Sequence, residues 1–474
     1  MINPSPLARN VMRELAGTAL GGRAASAVET SIAEGIGGYL LERTDLLGLM
    51  QDISPKLAAR LDPALRPGAG AAGAAGAIDG AVQLGIEAGT PHQKVLIMTM
   101  GVTGGHNALA ASVGRQIEQQ YPGAQVVIAD GSRISGDVFD SRTGELMKKF
   151  HTFERTEQPW IYDTRYRIRS TDGGTRGGRR LYDSMFRKDV KRVIDEEAPD
   201  VIVSTHPSVT ATLGRMRSLG ILDTPTVATL NDAAPNGLWM SPGIDEHVFY
   251  VPGDAKRLAG TFAARDGQLL HMSQARPPIE KKLVTADQVA ALRTDLGLPH
   301  DKPVLVVASG SMGVPVSDAT YRRMLAETDA HIVVATGSNT KMQEHLASTF
   351  PSDRLTALGF TRRMQDYIDA SDGVMLKAHG MTALESVSAG KPLIFFEPEG
   401  GHARGSVRAL AQDGYATLAG DDSDLTRAIR ELSVPASKTR MTAQAASTWF
   451  DAPRSYADVI MHARPRPAVA PPGM

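Results

Sequence analysis

Hydrophobic positions change rhythm several times along this chain. From residue 5 to residue 62 they recur at helical spacing, with Leu7, Val11 and Leu15 on one stripe and Leu40, Leu41, Leu46, Leu47 and Met50 further on. The spacing predicts a helical extension over residues 1–66; either an amphipathic membrane or partner helix, or a helix packed on its own chain, fits the stripe. Between Pro67 and Gly80 the sequence is almost only Gly and Ala, which cannot fill a core, so residues 67–92 read as a flexible linker. At Lys94 short apolar runs begin: KVLIMTM, then a glycine turn, then an Ala-rich helical stretch from Asn107 to Gln120. The runs at Ala124–Asp130, Asp200–Pro207 and Thr224–Asp232 continue the alternation of strand and helix. A second set starts at Lys302 and continues at Ala330–Asn339, Asp353–Phe360, Asp372–Gly380 and Lys391–Pro398. Such alternation predicts an α/β fold with two parallel, doubly wound sheets.

The two Rossmann-like halves then span residues 93–275 and 276–450, joined near residues 265–301, with a closing helix and a Pro-rich, disordered tail over 451–474, the helix being read from AQAASTWFDAPRSYADVIMHA at 443–463. A length of 474 residues agrees with two domains and a cleft between them. Net charge is −1, so no global field argues for nucleic acid, and any electrostatic partner must be local. There is no cysteine, which excludes disulfides, thiolate catalysis and cysteine-ligated zinc or iron–sulfur clusters and makes the cytoplasm the expected compartment. No apolar run reaches the roughly 18 residues of a membrane-spanning helix, and the start lacks a signal peptide's basic and apolar regions, so membrane contact is expected to be peripheral.

Candidate chemistry gathers at glycine turns. A turn between strand end and helix start lets backbone N–H groups approach an anion, where the helix dipole favours negative charge. One such turn is Thr103-Gly104-Gly105-His106; the other is Ser309-Gly310-Ser311-Met312-Gly313. Glycines also serve turns that bind nothing, but the pair at equivalent places in the two halves points to a shared anionic ligand. His106 follows the first strand and is the candidate general base, since an acceptor hydroxyl needs its proton removed as it attacks; the alternative is a histidine that caps the following helix. In the second half Gly380, Met381 and Thr382 open a helix, with Glu385 one turn in. They suit a diphosphate and ribose hydroxyls, or a capping box of Thr382 with Glu385. The Asp-Asp-Ser-Asp run at 421–424 precedes a helical pattern and reads as cap and first-turn charge rather than a metal site. The twelve histidines are scattered, so no metal is expected. From Lys148 to Arg192, Lys and Arg are about twice as frequent as Asp and Glu and alternate with Trp160, Tyr162, Tyr166 and Tyr182. That stretch suits an anionic membrane surface or a phosphate-bearing acceptor, or is a solvated loop; no nucleic-acid motif accompanies it.

With these residues in place the chain resembles glycosyltransferase family 28, in its branch of monogalactosyldiacylglycerol synthases and processive diacylglycerol glucosyltransferases, over about residues 93–420. KVLIMTMGVTGGHNALAASV is similar to the family's strand, glycine turn and Ala-rich helix, and the likeness puts His106 on the catalytic base and Gly105 beside the donor. STHP at 204–207 and the LNDAAPNGLW segment from 230 resemble its acceptor-side segments, which implies His206, Asp232 and Trp239 there. In the second half ATGSNTKM and LGFTRRMQDYIDASDGVMLKAHGMTALESVSAGKPLIFF resemble the donor signature. By that resemblance Gly359 and Phe360 read uracil, Glu385 the ribose, and Gly380, Met381 and Thr382 the diphosphate, with Gly310, Ser311 and Met312 also on the donor side. The family's Gln and Glu that hold the donor sugar are replaced by His402 and Ala403, and His379 stands where the family has a small residue or Pro, so the sugar does not carry over.

The resemblance implies a GT-B enzyme, with the two halves facing a cleft, that moves a hexosyl group from a UDP-sugar to a lipid or lipid-like hydroxyl with inversion. UDP-sugar is then a substrate, and no metal or other cofactor is required. Two rivals share the fold: a UDP-sugar epimerase, and a nucleotide-sugar-binding subunit without activity. A transferase of specialised-metabolite biosynthesis is the alternative in acceptor, suggested by the unusual extension.

Overall fold

The computed structural model describes residues 92–100, 104–135, 172–230, 232–252, 271–308, 313–314, 316–351, 353–398 and 400–466, with residues 162, 164, 166, 167 and 310. The expected extension, the linker up to residue 91, the end of the tail from residue 467, and Ser311 and Met312 lie outside them. So does the part of the basic stretch from Lys148 to Ile161. The chain divides into two compact units, Met1–Leu84 with Asp137–Ile168, and Gly85–Gly136 with Arg169–Met474; both sheets belong to the second.

The first sheet begins with β1 (Lys94–Met98), in which Val95, Leu96, Ile97 and Met98 are all fully buried. A parallel strand covered on both faces has no solvated side, hence its unbroken apolar run. Each such side chain contributes about 1.5–3 kcal/mol by leaving water. The chain continues through α1 (Gly104–Gln120), β2 (Gln125–Ala129), α2 (Gly131–Ser135), α3 (Asp172–Glu197), β3 (Val201–Ser204), α4 (Pro207–Ser218), β4 (Thr226–Thr229), β5 (Glu246–Phe249) and β6 (Met272–Gln274). All pairings are parallel, in the order β2-β1-β3-β4-β5-β6.

β5 departs from the apolar pattern, which is why its sequence does not announce a strand. Glu246 and His247 are both buried there. Each is answered by polar partners: Arg466 Nη2 and Ser273 Oγ each reach Glu246 at 2.7 Å, and His247 lies between the carbonyls of Trp239 and His271. Next to the strand, Asp245 accepts from Arg217 Nη2 at 2.8 Å and from the Thr226 N–H at 2.8 Å, a buried ion pair completed by backbone.

The second sheet repeats the plan through α5 (Ala286–Leu296), β7 (Val304–Ala308), α6 (Asp318–Glu327), β8 (His331–Ala335), α7 (Thr340–Thr349), β9 (Leu355–Leu358), α8 (Met364–Ala370), β10 (Gly373–Leu376), α9 (Met381–Ser388), β11 (Leu393–Phe396), α10 (His402–Gln412), β12 (Thr417–Ala419) and α11 (Asp422–Glu431). Its order is β12-β11-β10-β7-β8-β9, again all parallel. Asp421 caps α11 by accepting from the Asp424 N–H, as its run of acids predicts.

Beyond α11 the single closing helix expected from the sequence is divided. α12 (Lys438–Ala446) runs into a 3₁₀ turn (Ser447–Phe450), and α13 (Tyr456–Met461) starts afresh with Ser455 and Asp458 in a capping box. Pro453 between them cannot continue a helix. α13 returns to the first half, where Tyr121 Oη donates to Asp458 at 2.9 Å and the Ala457 N–H donates to Gln116 Oε1 at 3.0 Å. Among the described residues no helix is long and apolar enough to cross a membrane.

Candidate active site

Open α/β sheets bind ligands beyond the carboxyl ends of their strands, where the strand order reverses. In the first sheet the reversal falls between β1 and β3, and in the second between β7 and β10. His106 follows β1 and His206 follows β3; Gly310 follows β7 and Gly380 follows β10. Residues up to a hundred positions apart therefore meet because their strands are neighbours, with Met98 opposite Ser204 and Ala308 opposite Leu376.

On the first side His106 is the third residue of α1, inside the first turn, so it is not the helix cap that was its alternative reading. Its half-buried ring meets the His206 ring edge-on, with centroids 4.7 Å apart and planes at 76°. Trp239, buried to 1%, lies against the same ring at 6.0 Å. Thr205 ties the strand ends together: its hydroxyl donates to the His106 carbonyl at 3.3 Å and its N–H to the Met98 carbonyl at 3.1 Å. His206 caps α4, its Nδ1 accepting from the Ser208 N–H at 3.2 Å. A ring nitrogen that accepts carries no proton, so the N–H of His206 is on Nε2. Asp232 follows β4 and is half-buried, and Gly105 is exposed with open space beside its Cα.

On the second side the glycine turn is conformationally demanding. Gly310 and Gly313 have φ of 73° and 64°, and a Cβ on Gly313 would lie 2.1 Å from the Thr336 carbonyl oxygen. α6, α7 and α11 begin with side-chain caps from Ser317, Asn339 and Asp421, whereas α9 begins at Gly380 with none. The capping box offered for Thr382 and Glu385 is not formed. Thr382 is already the second residue of α9, and its carbonyl accepts from Ser386 Oγ at 2.7 Å. Met381 is buried, and Glu385 sits one turn in, where burial pushes its carboxyl above the usual range while the charge of Arg115 on α1 opposes the rise. Gly359 and Phe360 follow β9; Phe360 is 77% exposed, a large ring presented to solvent. The backbone of His402 starts α10; its side chain is outside the described residues. Glu397, in the left-handed region at φ 43°, pairs with Lys377 Nζ at 3.3 Å and joins the loops after β10 and β11.

The two edges face one another. Arg115 of α1 acts on Glu385 of α9, the Ala234 N–H donates to Ser406 Oγ of α10 at 3.0 Å, and Tyr250 Oη meets His379 Nε2 at 3.1 Å. Arg115, Ser406 and Tyr250 were not singled out in the sequence, where only the aromatic end of EHVFY hints at Tyr250. A separate cavity of about 580 Å³, lined by Arg293, Asp372, Lys391 and Arg440, opens at the amino ends of β10 and β11 and thus at the opposite edge of the second sheet.

Known proteins agree with this layout. Residues 106–258 match the monogalactosyldiacylglycerol synthase family, and residues 304–451 match the glycosyltransferase family 28 C-terminal domain. The processive diacylglycerol β-glucosyltransferase of Bacillus subtilis is 23% identical over 72% of this chain and 87% of its own length. Monogalactosyldiacylglycerol synthase 1 of Arabidopsis thaliana is 24% identical over 75% of this chain and 67% of its own. In fold, the glycosyltransferase SnogD from Streptomyces nogalater superposes with a TM-score of 0.51 at 14% identity, covering 78% of this chain and 97% of that one. Two facing doubly wound halves, the first matching the monogalactosyldiacylglycerol synthase family and the second the family 28 C-terminal domain, make this chain a GT-B glycosyltransferase.

Proposed function

We propose that the enzyme transfers a hexosyl group from a UDP-sugar to a hydroxyl of diacylglycerol or a similar lipid, with inversion at the anomeric carbon. The observation that carries this reading is the His106, His206 and Trp239 cluster at one switch point, opposite the uncapped start of α9 at the other. His106 accepts the proton of the acceptor hydroxyl as its oxygen bonds to the anomeric carbon and the bond from that carbon to the UDP oxygen breaks. His206 and Trp239 hold the imidazole in place, one edge-on and one tilted at 46° to it. The departing diphosphate gains charge, which the N–H groups and dipole at the start of α9 stabilise without reorganising. Glu385 accepts from ribose hydroxyls, and Phe360 offers a face for the uracil ring to cover. Among the described residues no group of three or more His, Asp or Glu is placed to hold a metal.

The acceptor is drawn from the relatives, whose names specify diacylglycerol. α3 adds a membrane-facing element: Arg176 and Arg180 are exposed and one turn apart, suited to anionic headgroups.

The test incubates the enzyme with UDP-hexoses, with and without diacylglycerol in mixed micelles, and follows UDP release and glycolipid. Acceptor-dependent release is expected, and His106→Ala should lower turnover by about 10²–10⁴-fold while leaving the Kd for UDP within about twofold. Epimerisation of the donor without acceptor, or equal turnover by His106→Ala, would overturn the proposal.

A further inference from the structure

His379 is a histidine in an unexpected place: it stands directly before Gly380, where α9 begins, and it is 6% exposed. Its Nε2 is 3.1 Å from the hydroxyl of Tyr250, at the carboxyl end of β5 in the other half. The hydrogen bond is enclosed on several sides. Trp449 meets the His379 ring at 89° with centroids 5.7 Å apart and lies 5.4 Å from the Tyr250 ring, while Tyr456 stands 6.4 Å from Tyr250. Tyr250, Trp449 and Tyr456 are each buried to within 2%. A polar contact at that depth has no water to replace it, so it fixes distance and direction between the residues it joins.

We propose that His379 and Tyr250 form a latch between the halves, which sets the start of α9 against the His106 cluster. They are positioning residues, acting through the helix start rather than on substrate. Two properties of the loop from Lys377 to Gly380 favour this over simple packing. Lys377 ties its near end to Glu397 of the same half, so His379 is the step at which the loop is held to the first half. Gly380 itself has open space around a would-be Cβ, so the link from His379 into α9 is not fixed by packing at that one residue, although Met381 after it is buried. Attack and departure occur on opposite faces of one carbon, and each half governs one of them. A misplacement of about 1 Å between the halves is then sufficient to slow transfer strongly while each half still binds its own ligand.

This inference rests on the transferase reading, and its test separates the two. Tyr250→Phe keeps the ring and its neighbours and removes only the hydroxyl; His379→Phe and the double variant complete a cycle. Turnover, the Kd for UDP, and hydrogen exchange of residues 377–385 are measured in all three and in the parent. The latch predicts that kcat falls about 5–20-fold in either single variant, that the double variant is no slower than the slower single, that UDP affinity stays within about twofold, and that exchange at the start of α9 speeds up. Parental kcat in Tyr250→Phe, a loss of UDP affinity in step with kcat, or losses that multiply in the double variant would overturn it. Exchange at residues 377–385 needs no turnover: an unchanged rate in Tyr250→Phe sinks the latch even if the transferase reading itself fails.

Discussion

Acidification should destabilise this fold through His247, and the size of the effect follows from its surroundings. His247 is fully buried on β5, its Nε2 3.1 Å from the Trp239 carbonyl and its Nδ1 3.2 Å from that of His271. Two carbonyls favour the doubly protonated ring, but burial is the larger influence and takes the pKa from 6.5 down to about 4, with the charge of Arg179 adding to the fall. The sign follows from proton counts. Between these values an unfolded chain holds a proton at this residue and the folded chain does not, so stability is complete above the unfolded value and declines as the pH falls toward the folded one. Taking those two values from about pH 7 to about pH 5 gives a loss of roughly 2 kcal/mol from this residue alone. His92, His271 and His331, also lowered chiefly by burial, add losses of the same sign, so the whole-protein response does not isolate His247. A double difference does. Urea unfolding of the parent and of His247→Asn at both pH values, followed by circular dichroism, cancels the pH-independent cost of the substitution. The parent should lose about 2 kcal/mol more than the variant on acidification, and an equal loss in both would refute the reasoning. Trp239 is the functional stake, since its carbonyl is held by His247 and its ring lies against His106.

Two further predictions concern the ligand-facing surfaces. Gly313→Ala places a methyl 2.1 Å from the Thr336 oxygen at a φ of 64°, so the turn after β7 must shift; the KM for UDP-sugar should rise at least about fivefold while circular dichroism stays parental, and an unchanged KM would remove this turn from the donor site. Arg176→Glu with Arg180→Glu should weaken sedimentation with vesicles rich in phosphatidylglycerol by at least about thirtyfold, at roughly 1 kcal/mol per cation removed and more for reversal, without altering turnover on a short-chain acceptor in micelles; parental sedimentation would take α3 away from the membrane.

Much of the architecture is legible in the chain because parallel strands buried on both faces must be apolar throughout. β1, β3, β7 and β8 therefore stand out as runs of Val, Ile and Leu. The same reasoning explains what was not legible. β5 carries buried Glu246 and His247, tolerable only because Arg466, Ser273 and two carbonyls meet them from distant segments, and β6 and β12 are three-residue edge strands too short for a pattern. The division of the closing helix is written in Pro453, but its destination against α1 is not.

At the site, residue types were readable and company was not. Glycine turns after strands, the His106 position and the Gly-x-Thr-x-x-Glu run are local properties of the sequence, and the doubly wound plan follows from the alternation of apolar runs. Strand order is a property of the folded sheet. Only that order puts β1 beside β3 and β7 beside β10, which brings His106 to His206 and sets Gly310 and Gly380 at the other switch point. The capping box at Thr382 failed for a related reason: the local pattern fits, yet the helix begins two residues too early for Thr382 to cap it. His379 carries the same lesson, because nothing within its own segment of sequence names Tyr250, 129 residues away, as its partner. Hydrophobic period is set by neighbours along the chain, whereas a buried polar contact is set by which strands lie side by side and which loops their ends bring together.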